Sequence, residues 1–167
     1  MSGSSGYPVN SWRLGVPIPS AAPTTAKSGT ASTTQTPLDV SYVYTFVTEL
    51  GEEGPPSAAS TVIELTDPET VTVTMPTSAQ PSGNYNFGSA AKKRVYRSNT
   101  GSNTTQFQFV GEVAYTATTF SDTKTAAQLG EVVPSTSWIG PPDDDTALYP
   151  DGPLKGLIPL AQGVMCG

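Results

Sequence analysis

Apolar and polar residues alternate with a period of two through the middle of the chain. Between residues 40 and 50 one set is Val40, Tyr42, Tyr44, Phe46, Thr48 and Leu50. Interleaved with it are Ser41, Val43, Thr45, Val47 and Glu49. Aromatic and β-branched residues at alternate positions predict a strand with one face fully buried. Gly51, Gly54, Pro55 and Pro56 then mark a turn, because glycine admits positive φ and proline stops strand pairing. Residues 60–65 are expected to return as the second arm of a hairpin. The run Thr70, Val71, Thr72, Val73, Thr74, Met75 alternates without a break and predicts another half-buried strand.

Further strands are expected at residues 93–98, around Val95 and Tyr96, and at 106–114, around Phe107, Phe109 and Val113. Residues 99–103 form the tip between them, and 118–121 make a short last strand around Phe120. Residues 126–129 suit one helical turn, and Val132 with Val133 suits an edge strand before Pro134. The polar stretch 76–89 is a long loop whose Tyr85 and Phe87 either pin it to the core or lie exposed.

The flanks read differently. Residues 1–6 are a Gly/Ser linker foreign to the fold. Residues 7–37 carry Pro8, Pro17, Pro19, Pro23 and Pro37. Proline fixes φ and donates no hydrogen bond, so this arm is expected to be extended, with at most an edge strand near residues 13–18. Residues 38–135 make the β domain. Residues 136–167, with Trp138, Leu148, Leu154 and Leu157 among prolines and glycines, are expected to be a linker toward a further domain of a longer parent protein. The expected fold class is all-β, a sandwich of about seven short strands with extended N- and C-terminal arms.

Composition narrows the function. Sixteen Gly, sixteen Pro and only 13% charged residues agree with many short strands joined by turns. A net charge of −6 with only eight Lys and Arg argues against nucleic acid and anionic membrane as partners. Cys166 has no second cysteine to pair with, so the core must hold the domain together, which suits folding in a reducing cytoplasm. The absence of histidine removes Ser-His-Asp and Cys-His machinery and the commonest zinc ligand.

The remaining chemical candidates have bland readings beside the sharp ones. Glu49, Glu52 and Glu53 cluster at the first turn, where adjacent carboxylates are ordinarily solvated; a hydrolase would need two facing one cleft. Asp143, Asp144 and Asp145 lack the spacing of a calcium loop and read as a solvated acidic linker. Asp122 suits a turn hydrogen bond. Asn103 opens a sequon of the glycosylation type, which is used only on a secreted chain. Lys27, Lys92 and Lys93 are candidates for an isopeptide bond, with surface lysines as the plain alternative. No catalytic, cofactor or metal site is expected. Tyr85, Phe87, Tyr115 and Trp138 are the candidate contact surface, because exposed aromatics anchor proteins or stack on sugars.

Residues 42–57, Tyr-Val-Tyr-Thr-Phe-Val-Thr-Glu-Leu-Gly-Glu-Glu-Gly-Pro-Pro-Ser, resemble the penultimate strand, turn and entry to the last strand of a fibronectin type III domain. Residues 94–98, 107–113 and 119–123 resemble that family's middle strands. The two blocks stand in reverse of the family's order, which implies a fibronectin type III or immunoglobulin-like β-sandwich that is either circularly permuted or assembled from two juxtaposed partial modules. Over a wider span, residues 7–17, the 51–57 turn, Val95-Tyr96-Arg97-Ser98, residues 129–135 and residues 156–160 follow in order. That series resembles an internal segment of tailed-bacteriophage virion proteins of the tail or nozzle-like class. The resemblance implies a non-enzymatic structural module of a phage tail, giving spacing, oligomer contacts or surface display. It implies other tail proteins as partners and a homo-oligomer through the parent, located in the virion. An adhesive module that binds a host surface or glycan is the alternative, and a carboxylate-based hydrolase the most remote reading.

Overall fold

The computed structural model describes residues 12–13, 15–77, 81, 85–100, 105–134, 158–159 and 165–166. It is all-β. In chain order the strands are β1 (Thr24–Ser28), β2 (Leu38–Val40), β3 (Tyr42–Val47), β4 (Ile63–Leu65), β5 (Thr70–Thr74), β6 (Lys92–Thr100), β7 (Thr105–Ala114) and β8 (Thr119–Asp122). A 3-10 turn, Ala126–Gln128, follows, and β9 (Ile158–Pro159) pairs with β10 (Met165–Cys166). Every pairing is antiparallel. One three-stranded sheet has the order β1-β5-β8, another the order β3-β6-β7, and β2 pairs with β4.

The two three-stranded sheets contribute to one core. Val71 and Val73 of β5 join Tyr42, Tyr44 and Phe46 of β3 and Val95 of β6 in a single buried cluster. Alternation accounts for β5 directly: Val71 and Val73 are buried while Thr70, Thr72 and Thr74 are half-exposed. Strand β7 bends where Val110 is inserted opposite β6, and such a bulge sharpens local twist. Next to it, a Cβ on Gly111 would stand 2.7 Å from the Phe120 ring of β8. Only glycine lets the two strands approach this closely.

The arm and the first hairpin depart from expectation. Among the described residues, 13 and 15–18 form no strand; the edge strand is β1, beyond Pro17, Pro19 and Pro23, where consecutive residues keep their N–H donors. Val16 nevertheless enters the core, packed beneath the backbone of Gly54. The 40–50 run is not one strand. It breaks at Ser41, whose N–H donates to Ser98 Oγ and whose carbonyl accepts the Ser98 N–H, both at 2.8 Å. Before that point the chain pairs with β4 and after it with β6.

Its far end turns early, because Gly51 N–H donates to the Thr48 carbonyl and Gly51 adopts φ 82°. That leaves Leu50 76% exposed rather than buried. Both faces of β3 are buried, not one. Its second face is closed by the sheet's own side chains, with Val43 opposite Tyr96 and Thr45 opposite Arg94.

The returning arm is strand only at residues 63–65, yet residues 53–60 still follow β3. The N–H groups of Gly54, Ser57 and Ser60 donate to Phe46, Tyr44 and Tyr42 carbonyls at 3.0, 2.9 and 2.8 Å. In the other direction Tyr42 and Tyr44 N–H groups donate to Ser60 and Ser57 hydroxyls at 3.0 and 3.2 Å. Pro55 and Pro56 interrupt the regular pairing, and the serine hydroxyls supply the acceptors that a partner strand's carbonyls would otherwise give. The other expected strands are present within two residues of their predicted ends. Residues 130–133 lie along the β7 edge, where Phe109 N–H donates to the Glu131 carbonyl at 2.8 Å.

Replacing Gly111 with Ala drives a methyl into the Phe120 ring and is expected to destabilise the domain by about 1–3 kcal/mol. Denaturant unfolding measures this, and adding Phe120→Leu should recover part of the loss. A neutral Gly111→Ala would disprove the close packing.

Candidate functional site

Charged residues gather in hydrogen-bonded clusters at two places. In the first, Arg97 of β6 and Asp122 of β8 face each other across the core, with side chains 4% and 0% exposed. Arg97 Nη1 donates to Asp122 Oδ2 at 2.6 Å and to the Lys124 carbonyl at 3.0 Å. Tyr42 Oη donates to the same Asp122 oxygen at 2.8 Å, and Lys124 N–H donates to Oδ1 at 2.9 Å. The carboxylate thus receives three sidechain and backbone donors, and the pair ties one three-stranded sheet to the other. Burial, then the adjacent Asp122 carboxylate, push the Tyr42 phenol well above its ordinary range. A cleft of about 50 Å³ opens beside Arg97, bordered by Leu38, Leu65, Asn99 and Leu129. That volume holds water and little else.

The second place is the outer side of β3 and β6. Glu53 reaches back from the turn and accepts hydrogen bonds from Thr45 Oγ1 at 2.7 Å and from Tyr96 Oη. Its other oxygen takes Arg94 Nη1 at 2.8 Å. Burial alone would lower the Arg94 pKa, but the Glu53 charge outweighs it and raises it. Burial and the Glu53 hydrogen bond likewise raise Tyr96. Arg94 also lies over Phe109 at 5.7 Å, with Lys124 over the same ring at 5.9 Å. Lys92 pairs with Glu112, whose carboxyl that hydrogen bond holds below its usual range.

The aromatic residues expected to make a contact surface gather at one end of the core. Phe87 stacks on Tyr115 with ring centroids 4.3 Å apart, and both meet Phe46 edge-on at 5.5 and 5.4 Å. Tyr85, 7% exposed, sits 5.9 Å from Phe87 and lies under Arg13 at 5.8 Å. The loop's aromatics therefore pin it to the core, and Phe87 and Tyr115 keep part of their surface open. Trp138 lies outside the described residues, as do Asp143, Asp144, Asp145 and Asn103, and the Cys166 side chain. Beneath the rings Lys93 is fully buried, its Nζ donating to the Ala117 carbonyl at 2.7 Å and 5.5 Å from the Tyr115 ring. Burial lowers its pKa.

The three turn glutamates do not converge. Glu49 accepts the Ala90 N–H, Glu52 bonds Thr48, and Glu53 serves the cluster above. Of the candidate isopeptide lysines, Lys27 pairs with Glu69 at 3.1 Å, Lys92 with Glu112, and Lys93 with a carbonyl. Among the described residues no three Cys, Asp or Glu side chains gather as a metal site would require.

Asp122 makes the turn bond that the sequence predicts, to Lys124, and beyond it a larger pairing with Arg97 and Tyr42 that the local pattern does not show. The available signal was Lys93-Arg94-Val95-Tyr96-Arg97, a strand in which each alternating set contains a charge. One of those charges had to enter the core. No family model, curated protein or solved structure matches the chain.

Asp122→Ala strands a buried guanidinium and should cost about 3–5 kcal/mol, whereas Arg97→Met with Asp122→Leu should recover most of it. Urea titration of the single and double variants measures both. Tyr42, Tyr44 (pushed up to about 12 by burial), Tyr96 and Tyr115 hold their protons in the fold beyond the range where an unfolded chain releases them. Stability should therefore fall as pH rises past about 10. Buried Lys93, which sheds its proton early, opposes this with one proton against four. Phenolate absorbance followed alongside far-UV circular dichroism should show these four tyrosines titrating only as the sheets melt.

Proposed function

We propose that the chain is a circularly permuted fibronectin type III or immunoglobulin-like β-sandwich and serves as a non-catalytic structural module of a phage tail protein. Strand order supports the fold. In such sandwiches the penultimate strand lies between a middle strand and the last one, and the second strand lies between the first and the fifth. Here β3 lies between β6 and residues 53–60, and β5 lies between β1 and β8. With β3 as the penultimate strand and residues 53–60 as the last, β5, β6, β7 and β8 follow as the second to fifth strands, as in the permuted order, while β1 fills the first strand's place from ahead of β3. Termini close together at a domain surface make such a permutation accessible.

The Arg97–Asp122–Tyr42 brace carries the structural reading. Buried charges at enzymatic sites face a cleft that admits substrate. These instead are saturated by one another and span the two sheets, which is the work of a rigid spacer. The tail assignment rests on the ordered resemblance along the chain, and other tail proteins are its proposed partners. The adhesive alternative draws on the open parts of Phe87 and Tyr115.

Antibodies raised against the chain and applied to particles from a lysate encoding it should decorate tails in negative-stain images. Labelling of capsids alone, or of no particle, would remove the tail assignment. A glycan array probed with the isolated chain should be blank; a reproducible hit lost in Tyr115→Ala would establish the adhesive reading instead.

A further inference from the structure

The outward face of the β1-β5-β8 sheet is a flat grid of short side chains without a charge. Cross-strand register aligns Thr24, Thr74 and Thr119 in one row and Ala26, Thr72 and Ser121 in the next. Ser28 and Thr70 make a third, their hydroxyls 2.8 Å apart. All are exposed or half-exposed. The opposite side of the sheet carries the buried Val71, Val73 and Asp122. The chain has 8 basic and 14 acidic residues, and none occupies this grid. The outer face of β3-β6-β7 differs, carrying Lys92, Arg94 and Glu112.

We infer that this hydroxyl face is a self-association surface whose occupant is the same face of a second copy of the chain. Solvated sheet faces are ordinarily studded with Lys and Glu, which oppose such contacts. With a net charge of −6, two copies repel through most of their surfaces. The neutral grid is where that repulsion is least, and a face without charge is complementary to itself under two-fold symmetry. Threonine methyls and hydroxyls at strand spacing can interdigitate and exchange hydrogen bonds, and short side chains lose little entropy when held. A sugar surface is the poorer match, because the grid holds no aromatic ring on which a pyranose could stack.

Size sets the strength. Three strands about 4.8 Å apart and five residues long give a face of roughly 240 Å². A stable pair of proteins buries about 800 Å² on each partner. The contact is therefore weak between free copies and becomes effective where a parent assembly holds copies side by side. The inference deepens the structural-module reading and rests on it only for that assembly.

Nuclear magnetic resonance of the labelled chain from micromolar to millimolar concentration tests it. Concentration-dependent amide shifts are expected in residues 24–28, 70–74 and 119–121. Thr72→Lys, at the centre of the grid, should weaken association at least about tenfold by bringing like charges together. Thr72→Val should preserve it, and dispersed spectra for both variants would verify folding. Absence of shifts at millimolar concentration, shifts confined to other residues, or a response of this face to polysaccharide without self-association would overturn the inference. The antibody-labelling result decides the tail reading independently.

Discussion

The structure depends on a charge pair that would be prohibitively costly if either member were alone. Arg97 and Asp122 are almost wholly removed from water, and desolvation of each is tolerable only because the other, Tyr42 and the Lys124 backbone saturate it. Such a pair adds little net stability over an apolar substitute, but it discriminates sharply between arrangements. Any slip of β8 by one residue along β5 would turn Asp122 outward and leave the guanidinium unpaired. The pair thus ties the register of one three-stranded sheet to the position of the other.

Around that constraint the chain solves a second difficulty, a strand buried on both faces beside a proline-rich neighbour. Residues 53–60 cannot form a continuous ladder with β3, yet the Tyr42 and Tyr44 N–H groups are buried and need acceptors. Ser57 and Ser60 provide them through their hydroxyls. Glu53, carried in by the same turn, gathers Thr45, Tyr96 and Arg94. Polar side chains here fulfil structural duties that backbone groups fulfil in regular sheets. Ionisable residues in unusual surroundings are consequently braces in this domain, and their shifted protonation reports burial.

The aromatic end closes the core at one place. Phe87 and Tyr115 stack over Phe46 and close the core, which fastens the 85–91 segment. The part of their surface left open stays available to a partner. The hydroxyl grid on β1-β5-β8 is a different kind of surface, small, neutral and without rings.

Much of this was legible from the residues. The pattern Thr70-Val71-Thr72-Val73-Thr74 assigns its own inside and outside, since alternation is a property of neighbours two apart. The hairpin of β6 and β7, the short β8 and the 126–129 turn were legible for the same local reason. Glycine and proline further announced where strands stop. Tertiary structure alone decided that the 40–50 run divides at Ser41, because both segments are good strands and only their partners differ. It alone decided which set of β6 enters the core, since Lys93, Val95 and Arg97 look no more apolar than the set between them. Asp122 finds Arg97 25 residues away and Tyr42 80 residues away. Local pattern determines the faces of each strand; which buried charge meets which is a contest among distant groups, settled by desolvation once the sheets are assembled.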